Sequence, residues 1–179
     1  MEIAFDTYCT YGLGNVGIKG IAQACGLTTP ALYAYFEGVD DMIIQSVEHC
    51  LSKIEREFAE YAISFPESLD RFLDEAPLWS REQHGKAYRF LQQIYTHPKY
   101  YDHCQKIIKR QEEEYDSFAS KLAPKMGITK DDALTLVFLL ARLLVHYALY
   151  GSAEYLRTQK QAMRRLVKVM KADAAPAAE

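Results

Sequence analysis

Apolar residues along this chain recur at the 3.6-residue period of a helix in nearly every segment, and no run alternates as a half-buried strand would. Ile18, Ile21, Ala22 and Cys25 form a short stripe, and Ile43, Val47, Leu51, Ile54 and Phe58 a long one. Further stripes run through Ala87, Phe90, Leu91 and Ile94, then through Cys104, Ile107, Ile108, Tyr115, Phe118, Ala119 and Leu122. The last is Leu156, Met163, Leu166, Val167 and Met170. Breaks fall at Gly12–Gly17, Gly26, Gly38, Phe65-Pro66, His97-Pro98, Pro124–Gly127 and Gly151. A chain with only helical stripes must bury them helix against helix, so the expected fold is all-α.

With 179 residues, 49% of them apolar, the chain can bury a substantial core. Cys9, Cys25, Cys50 and Cys104 are scattered without a C-x-x-C pair, and no basic-then-apolar leader is visible at the N-terminus. Both features suit a cytoplasmic protein with free thiols. The segment 133–150 approaches membrane-spanning length but carries Arg142 and His146, so it reads as a helix buried on both sides in a soluble protein, not a membrane span.

The stretch YGLGNVG spells G-x-G-x-x-G with Gly12, Gly14 and Gly17. A phosphate-cradling loop of that pattern needs a buried strand before it and a long helix after it. Here Asp6 and Thr7 interrupt any such strand, and the following helix ends by Gly26. The glycines read instead as the corner between two helices. The second helix spans roughly 18–24, Gly26 supplies a tight turn, Thr28 an N-cap, and Pro30 suits the first turn of a third helix. Leu32 and Phe36 point into a small core with Ile21 and Leu27, leaving Thr29, Pro30, Ala31, Tyr33 and Tyr35 more exposed. Helix, short turn, helix is the layout of a helix-turn-helix.

The run IAQACGLTTPALYAYFEGVDDM resembles the signature of the TetR family of transcriptional regulators. Ile21, Ala22, Gly26, Leu27, Thr28, Leu32, Tyr33, Tyr35, Phe36 and Met42 match it without gaps. The rest of the chain is similar to the family by helix content alone. The resemblance implies a helix-turn-helix domain at 1–42, a ligand-binding and dimerisation domain at 43–172, and a frayed tail at 173–179. It implies a homodimer that reads double-stranded operator DNA, represses transcription and is released by a small apolar or aromatic effector, with no cofactor. Thr28, Thr29, Pro30, Ala31 and Tyr33 stand where family members meet bases and adjacent backbone, and Lys19 and Tyr35 where they meet phosphates. Tyr33 reads equally well as a packing residue. No G-x-S-x-G, metal-ligand set or paired carboxylates with a base argue for an enzyme.

The departures from the signature concern phosphate binding. Val16 and Gly17 replace a hydroxyl pair at the start of the second helix, and Gly38 and Val39 replace a hydroxyl and a lysine before Asp40 and Asp41. In residues 1–50 Lys19 stands alone against Glu2, Asp6, Glu37, Asp40, Asp41 and Glu48, a formal −5. Phosphate neutralisation supplies most non-specific affinity, so such a head is poorly equipped for DNA. Two accounts stay open: a basic arm upstream of Met1, or a head that has drifted toward binding a small molecule or partner protein with little DNA affinity. The aspartate pair also suits the N-terminus of a fourth helix.

In the larger domain, Thr135, Leu139, Arg142 and His146 share one helical stripe. A buried Arg142 would need a partner: a carboxylate, the twin helix of a dimer, or an anionic ligand. Expected ligand-lining residues are Trp79, Tyr88, Tyr95, Phe138, Arg142 and His146, within an aromatic-rich middle that includes Phe65, Phe90, Tyr100 and Tyr101. His97, Asp102, His103 and Cys104 match no standard metal spacing. The last two helices are expected to pair in an intersubunit bundle through Leu140, Leu144, Leu156, Met163, Leu166, Val167 and Met170.

Overall fold

A computed structural model describes residues 1–63 and 68–174. Phe65, Pro66 and tail residues 175–179 lie outside the described residues. Among the described residues the chain is all-α, with no strand: α1 (Glu2–Tyr11), α2 (Ile18–Ala24), α3 (Thr29–Tyr33), α4 (Val39–Ile63), α5 (Leu69–Tyr95), a 3-10 turn (Pro98–Tyr100), α6 (Tyr101–Met126), α7 (Lys130–Tyr150) and α8 (Ala153–Asp173).

Two compact units are present, and they do not follow chain order. The first comprises Met1–Glu60 together with Lys86–Ile107; the second comprises Tyr61–Gly85 and Ile108–Glu179. A boundary near residue 42 was expected, yet α4 runs unbroken through that position, and its stripe of Ile43, Val47, Leu51 and Ile54 is buried in the head's own core.

That core centres on an aromatic sandwich. The Tyr8 ring stacks parallel on Phe90 at 5.6 Å between centroids, and Phe5 meets Phe90 edge-on at 5.5 Å. Ile21, Leu32, Met42, Val47, Leu91, Ile94 and Ile107 close around it, all buried. The Tyr8 hydroxyl is enclosed without a hydrogen-bond partner, and burial, reinforced by the nearby Asp40 carboxylate, pushes its pKa up to about 12.

In the second unit α7 and α8 pack on each other. Both start on a side-chain cap: Thr129 Oγ1 accepts from the Asp132 N–H at 3.1 Å, and Ser152 Oγ from the Tyr155 N–H at 3.2 Å. Ion pairs join α5 to α8: Asp70 to Arg164 (2.5 Å), and Asp74 to both Lys160 (2.5 Å) and Arg164 (3.3 Å). The Lys160 ammonium holds the Asp74 carboxyl below its ordinary pKa.

α7 is long and apolar enough to span a bilayer by composition, with a mean hydropathy of 1.8. It was expected to be buried on both sides. Instead one side, from Ala133 through Leu136, Leu140, Leu144 and Tyr147, is buried in the fold, while Phe138 and Arg142 on the other are exposed.

Gly151 ends α7 in the left-handed region (φ 65°), donating its N–H to the Tyr147 carbonyl at 2.8 Å. A Cβ at this position would lie 2.8 Å from Nη1 of Arg81, whose guanidinium stands over the Tyr147 ring at 5.6 Å. Gly151→Ala is therefore expected to destabilise the chain by about 1–2 kcal/mol from the backbone alone. Gly151→Asn, which tolerates that region better, should cost less; urea denaturation of both variants checks the order.

Candidate nucleic-acid interface

The helix-turn-helix is built by local hydrogen bonds that the turn residues make possible. α2 closes with the Leu27 N–H on the Ala22 carbonyl (2.9 Å) and the Gly26 N–H on the Gln23 carbonyl (3.1 Å), with Gly26 at φ 67°. This closure turns Leu27 outward, leaving it 43% exposed, so the expectation that it joins the small core is corrected. Thr28 then caps α3, its Oγ1 accepting from the Ala31 N–H at 3.3 Å, with Pro30 in the first turn. Leu32 is buried at 2%, and Ile21 at 0%, as the stripe required. Phe36 lies beyond α3, which ends at Tyr33, and is partly buried against the same core.

The expected reading residues come out as follows. Thr28, Pro30, Tyr33, Tyr35 and Lys19 are exposed, and Thr29 and Ala31 half-buried. Tyr33 is 49% exposed and Tyr35 72%, so neither is a core tyrosine in this chain. α2 starts on Gly17 with extended backbone and no side-chain cap, as the missing hydroxyl foretold.

The head's acidity is engaged internally. Glu2 pairs with Lys53 at 3.1 Å, which lowers its pKa. Asp41 accepts from Gln45 (2.9 Å) and from the Glu37 backbone N–H (3.0 Å), and these bonds lower its pKa in that order. Asp40 pairs with Lys99 at 2.7 Å and accepts from the Tyr100 hydroxyl at 2.8 Å, and the lysine most of all lowers its pKa. Burial, with Asp40 second, raises the pKa of Tyr100. Glu48 meets His103 Nε2 at 3.0 Å. Of the six carboxylates in 1–50, only Asp6 and Glu37 remain exposed with no side-chain partner shown. None of these partnerships was read from the sequence; the 3.6-residue period says nothing about pairs 55 or 60 residues apart.

The side chains His97, His103 and Cys104 point to different partners. His97 accepts from the Lys99 N–H, His103 meets Glu48, and Cys104 Sγ lies 3.6 Å from the Ile94 carbonyl. No cluster of metal-ligating side chains occurs among the described residues.

The expected ligand-lining residues divide between the two units. Tyr88 and Tyr95 pack against the core of the first. In the second, Trp79 stacks on Tyr61 (4.1 Å, 6° between planes) and meets His84 edge-on at 5.1 Å. Phe138, Arg142 and His146 follow one ridge of α7. Arg142 is exposed and lies over the Phe138 ring at 5.0 Å, so the buried arginine in need of a counter-ion is corrected: water and an aromatic face satisfy it. His146 sits against the Tyr150 and Tyr155 rings at 4.8 and 4.5 Å.

The expected interface residues Leu140, Leu144, Leu156, Met163, Val167 and Met170 are buried within the chain itself, and only Leu166 is half-exposed. Those six therefore line the chain's own core, a correction that follows from packing: a stripe shows that a face needs cover without showing what covers it. A second stripe was overlooked. It comprises Leu134, Phe138, Ala141, Val145 and Leu149 on α7, with Tyr155, Ala162, Leu166 and Val169 on α8, all exposed or half-exposed.

An all-α chain with an N-terminal helix-turn-helix and long following helices has the fold of TetR-type regulators. It is similar to a TetR transcription regulator from Haloarcula marismortui ATCC 43049, with a TM-score of 0.66 over 94% of this chain and 96% of that one, at 16% sequence identity. No family model matches the sequence, and no curated protein matches it.

Proposed function

We propose that the protein is a cytoplasmic, non-enzymatic transcription regulator, a repressor that binds operator DNA as a homodimer through α3. The observation that carries this reading is the α2–Gly26–α3 geometry, which buries Leu32 while presenting Pro30 and Tyr33 on one capped helix, with Tyr35 exposed in the turn that follows it. Internal pairing of Glu2, Asp40, Asp41 and Glu48 supports it, because those charges already have partners within the head. Recognition would rest on apolar contact with thymine methyls by Pro30 and Ala31 and on tyrosine contacts, with Lys19 on phosphate. The dimer would close over the open apolar faces of α7 and α8 as a four-helix bundle. A small apolar or aromatic effector would release the DNA, with Trp79, Phe138, Arg142 and His146 as the residues to test first.

Fluorescence anisotropy with duplex DNA at varied salt tests the reading. Binding should weaken steeply as salt rises. No binding at low salt would sink it and favour the second reading, a dimer with this fold that binds a small molecule or protein instead; the hydroxyl-free Gly17 cap and the isolated Lys19 are the observations behind that alternative.

Gly17 offers a direct gain-of-function check. Its backbone is extended (φ −88°, ψ 171°) and a Cβ would meet nothing within 4 Å. Gly17→Ser should stabilise α2 by only a few tenths of a kcal/mol, about the serine-over-glycine difference at an N-cap. Its hydroxyl also adds one phosphate donor, so duplex affinity should rise about threefold to tenfold, the scale of one ordinary net hydrogen bond.

A further inference from the structure

The reading helix α3 is five residues long, and Leu32 is its only buried side chain. So short an element has little packing of its own to hold its orientation. Its exit runs through residues 34–38 to the first turn of α4, where two adjacent aspartates reach in different directions. Asp41 reaches back, accepting from the Glu37 N–H at 3.0 Å. Asp40 reaches across to the elbow between α5 and α6, where it pairs with Lys99 at 2.7 Å and takes the Tyr100 hydroxyl at 2.8 Å. Tyr100 is 5% exposed, so this donor is fixed by the core. The same Lys86–Ile107 segment holds the head at two other places: Gln93 Oε1 accepts from the Leu13 N–H at 3.3 Å, and His103 meets Glu48 on α4 at 3.0 Å.

We infer that Asp40 is a positioning residue: with Asp41 it couples the reading helix to the α5–α6 elbow, so that α3 is oriented for DNA by the elbow and moves with it. This rests on the DNA-reading function proposed above. It also reverses the sign of a simple electrostatic expectation. A carboxylate near the DNA face should repel phosphate, and its removal should tighten binding. If Asp40 positions α3, its removal loosens the helix and weakens binding instead.

Hydrogen exchange on the full chain, read by mass spectrometry, tests the coupling without DNA. Asp40→Ala and Tyr100→Phe should each speed exchange in residues 28–38 by at least about fivefold, the scale of one ordinary net hydrogen bond, while α7 and α8 are unchanged. The double variant should add little to Asp40→Ala, which already removes the Tyr100 bond together with the Lys99 pair. Unchanged exchange at 28–38, equal acceleration in every helix, or additive effects would each overturn the coupling. Anisotropy with a mixed-sequence duplex then tests the link to DNA, with Asp6→Asn removing an exposed carboxylate as the charge control. Asp40→Ala should weaken binding severalfold while Asp6→Asn leaves it equal or tighter; tighter binding by Asp40→Ala would overturn the positioning role. If the unaltered chain binds no duplex, the DNA-reading function fails and the exchange data alone decide the coupling.

Discussion

Phe90→Ala is expected to cost about 3–5 kcal/mol of stability, the usual range for emptying a buried phenylalanine site. The side chain is 1% exposed and lies between the parallel ring of Tyr8 and the edge of Phe5. Those two rings are the main apolar anchors of α1, since Ala4 is its only other buried residue. Truncation removes the common partner of both and leaves a void that the helices around it can only partly close. Domains of this size hold roughly 5–15 kcal/mol in all, so the loss is a large share of the total. Phe90→Leu keeps most of the volume and should cost clearly less. Urea denaturation followed by circular dichroism measures both variants. A loss below about 1.5 kcal/mol for the alanine variant would mean that α1 does not depend on the sandwich.

The second large effect is expected at the open face of α7 and α8. Val169 is 56% exposed on α8, in line with Ala162 and Leu166. In a two-fold bundle Val169→Glu would bury two carboxylates, one from each copy, without partners. Desolvating an unpaired charge costs several kcal/mol even after relaxation, so dimer affinity should fall at least about a hundredfold. The monomer should keep its helical content, since an exposed valine contributes little to its own fold. Lys168→Glu is the control: it alters charge one residue away, on the basic flank with Arg157 and Arg164. Sedimentation velocity across a concentration series distinguishes the outcomes. If Val169→Glu sediments like the unaltered chain, the proposed bundle through this face of α8 is overturned.

These two sites mark different limits of sequence reading. The helix-turn-helix was legible because every signal in it is local. Gly26, Thr28 and Pro30 act within a few residues of themselves, and the bounds expected for α2, 18–24, are those observed. The missing hydroxyl at Gly17 was legible for the same reason. The inward face was misread because α7 carries two apolar stripes, and period alone does not say which one meets the neighbouring helix of the same chain. Arg142 was expected to be buried from its place in an apolar run. It lies on the outer ridge, over Phe138.

The acidic head shows the division most clearly. Counting residues 1–50 yields one basic residue and six acidic ones, a charge that argues against DNA. Folding brings Lys53, Lys99, Tyr100 and His103 to those carboxylates, and all four come from beyond the counted segment. Composition and periodicity therefore determined by themselves that the chain is all-α, where α2 begins and ends, and that Thr28 caps α3, because those outcomes depend on interactions a few residues apart. Only the tertiary structure decided which apolar stripes face inward, which compact unit Lys86–Ile107 joins, and whether Asp40 stands free or is tied to the elbow. Those outcomes depend on contacts between residues far apart in the chain, and Coulomb and dispersion forces act on distance in space, which a linear pattern does not encode.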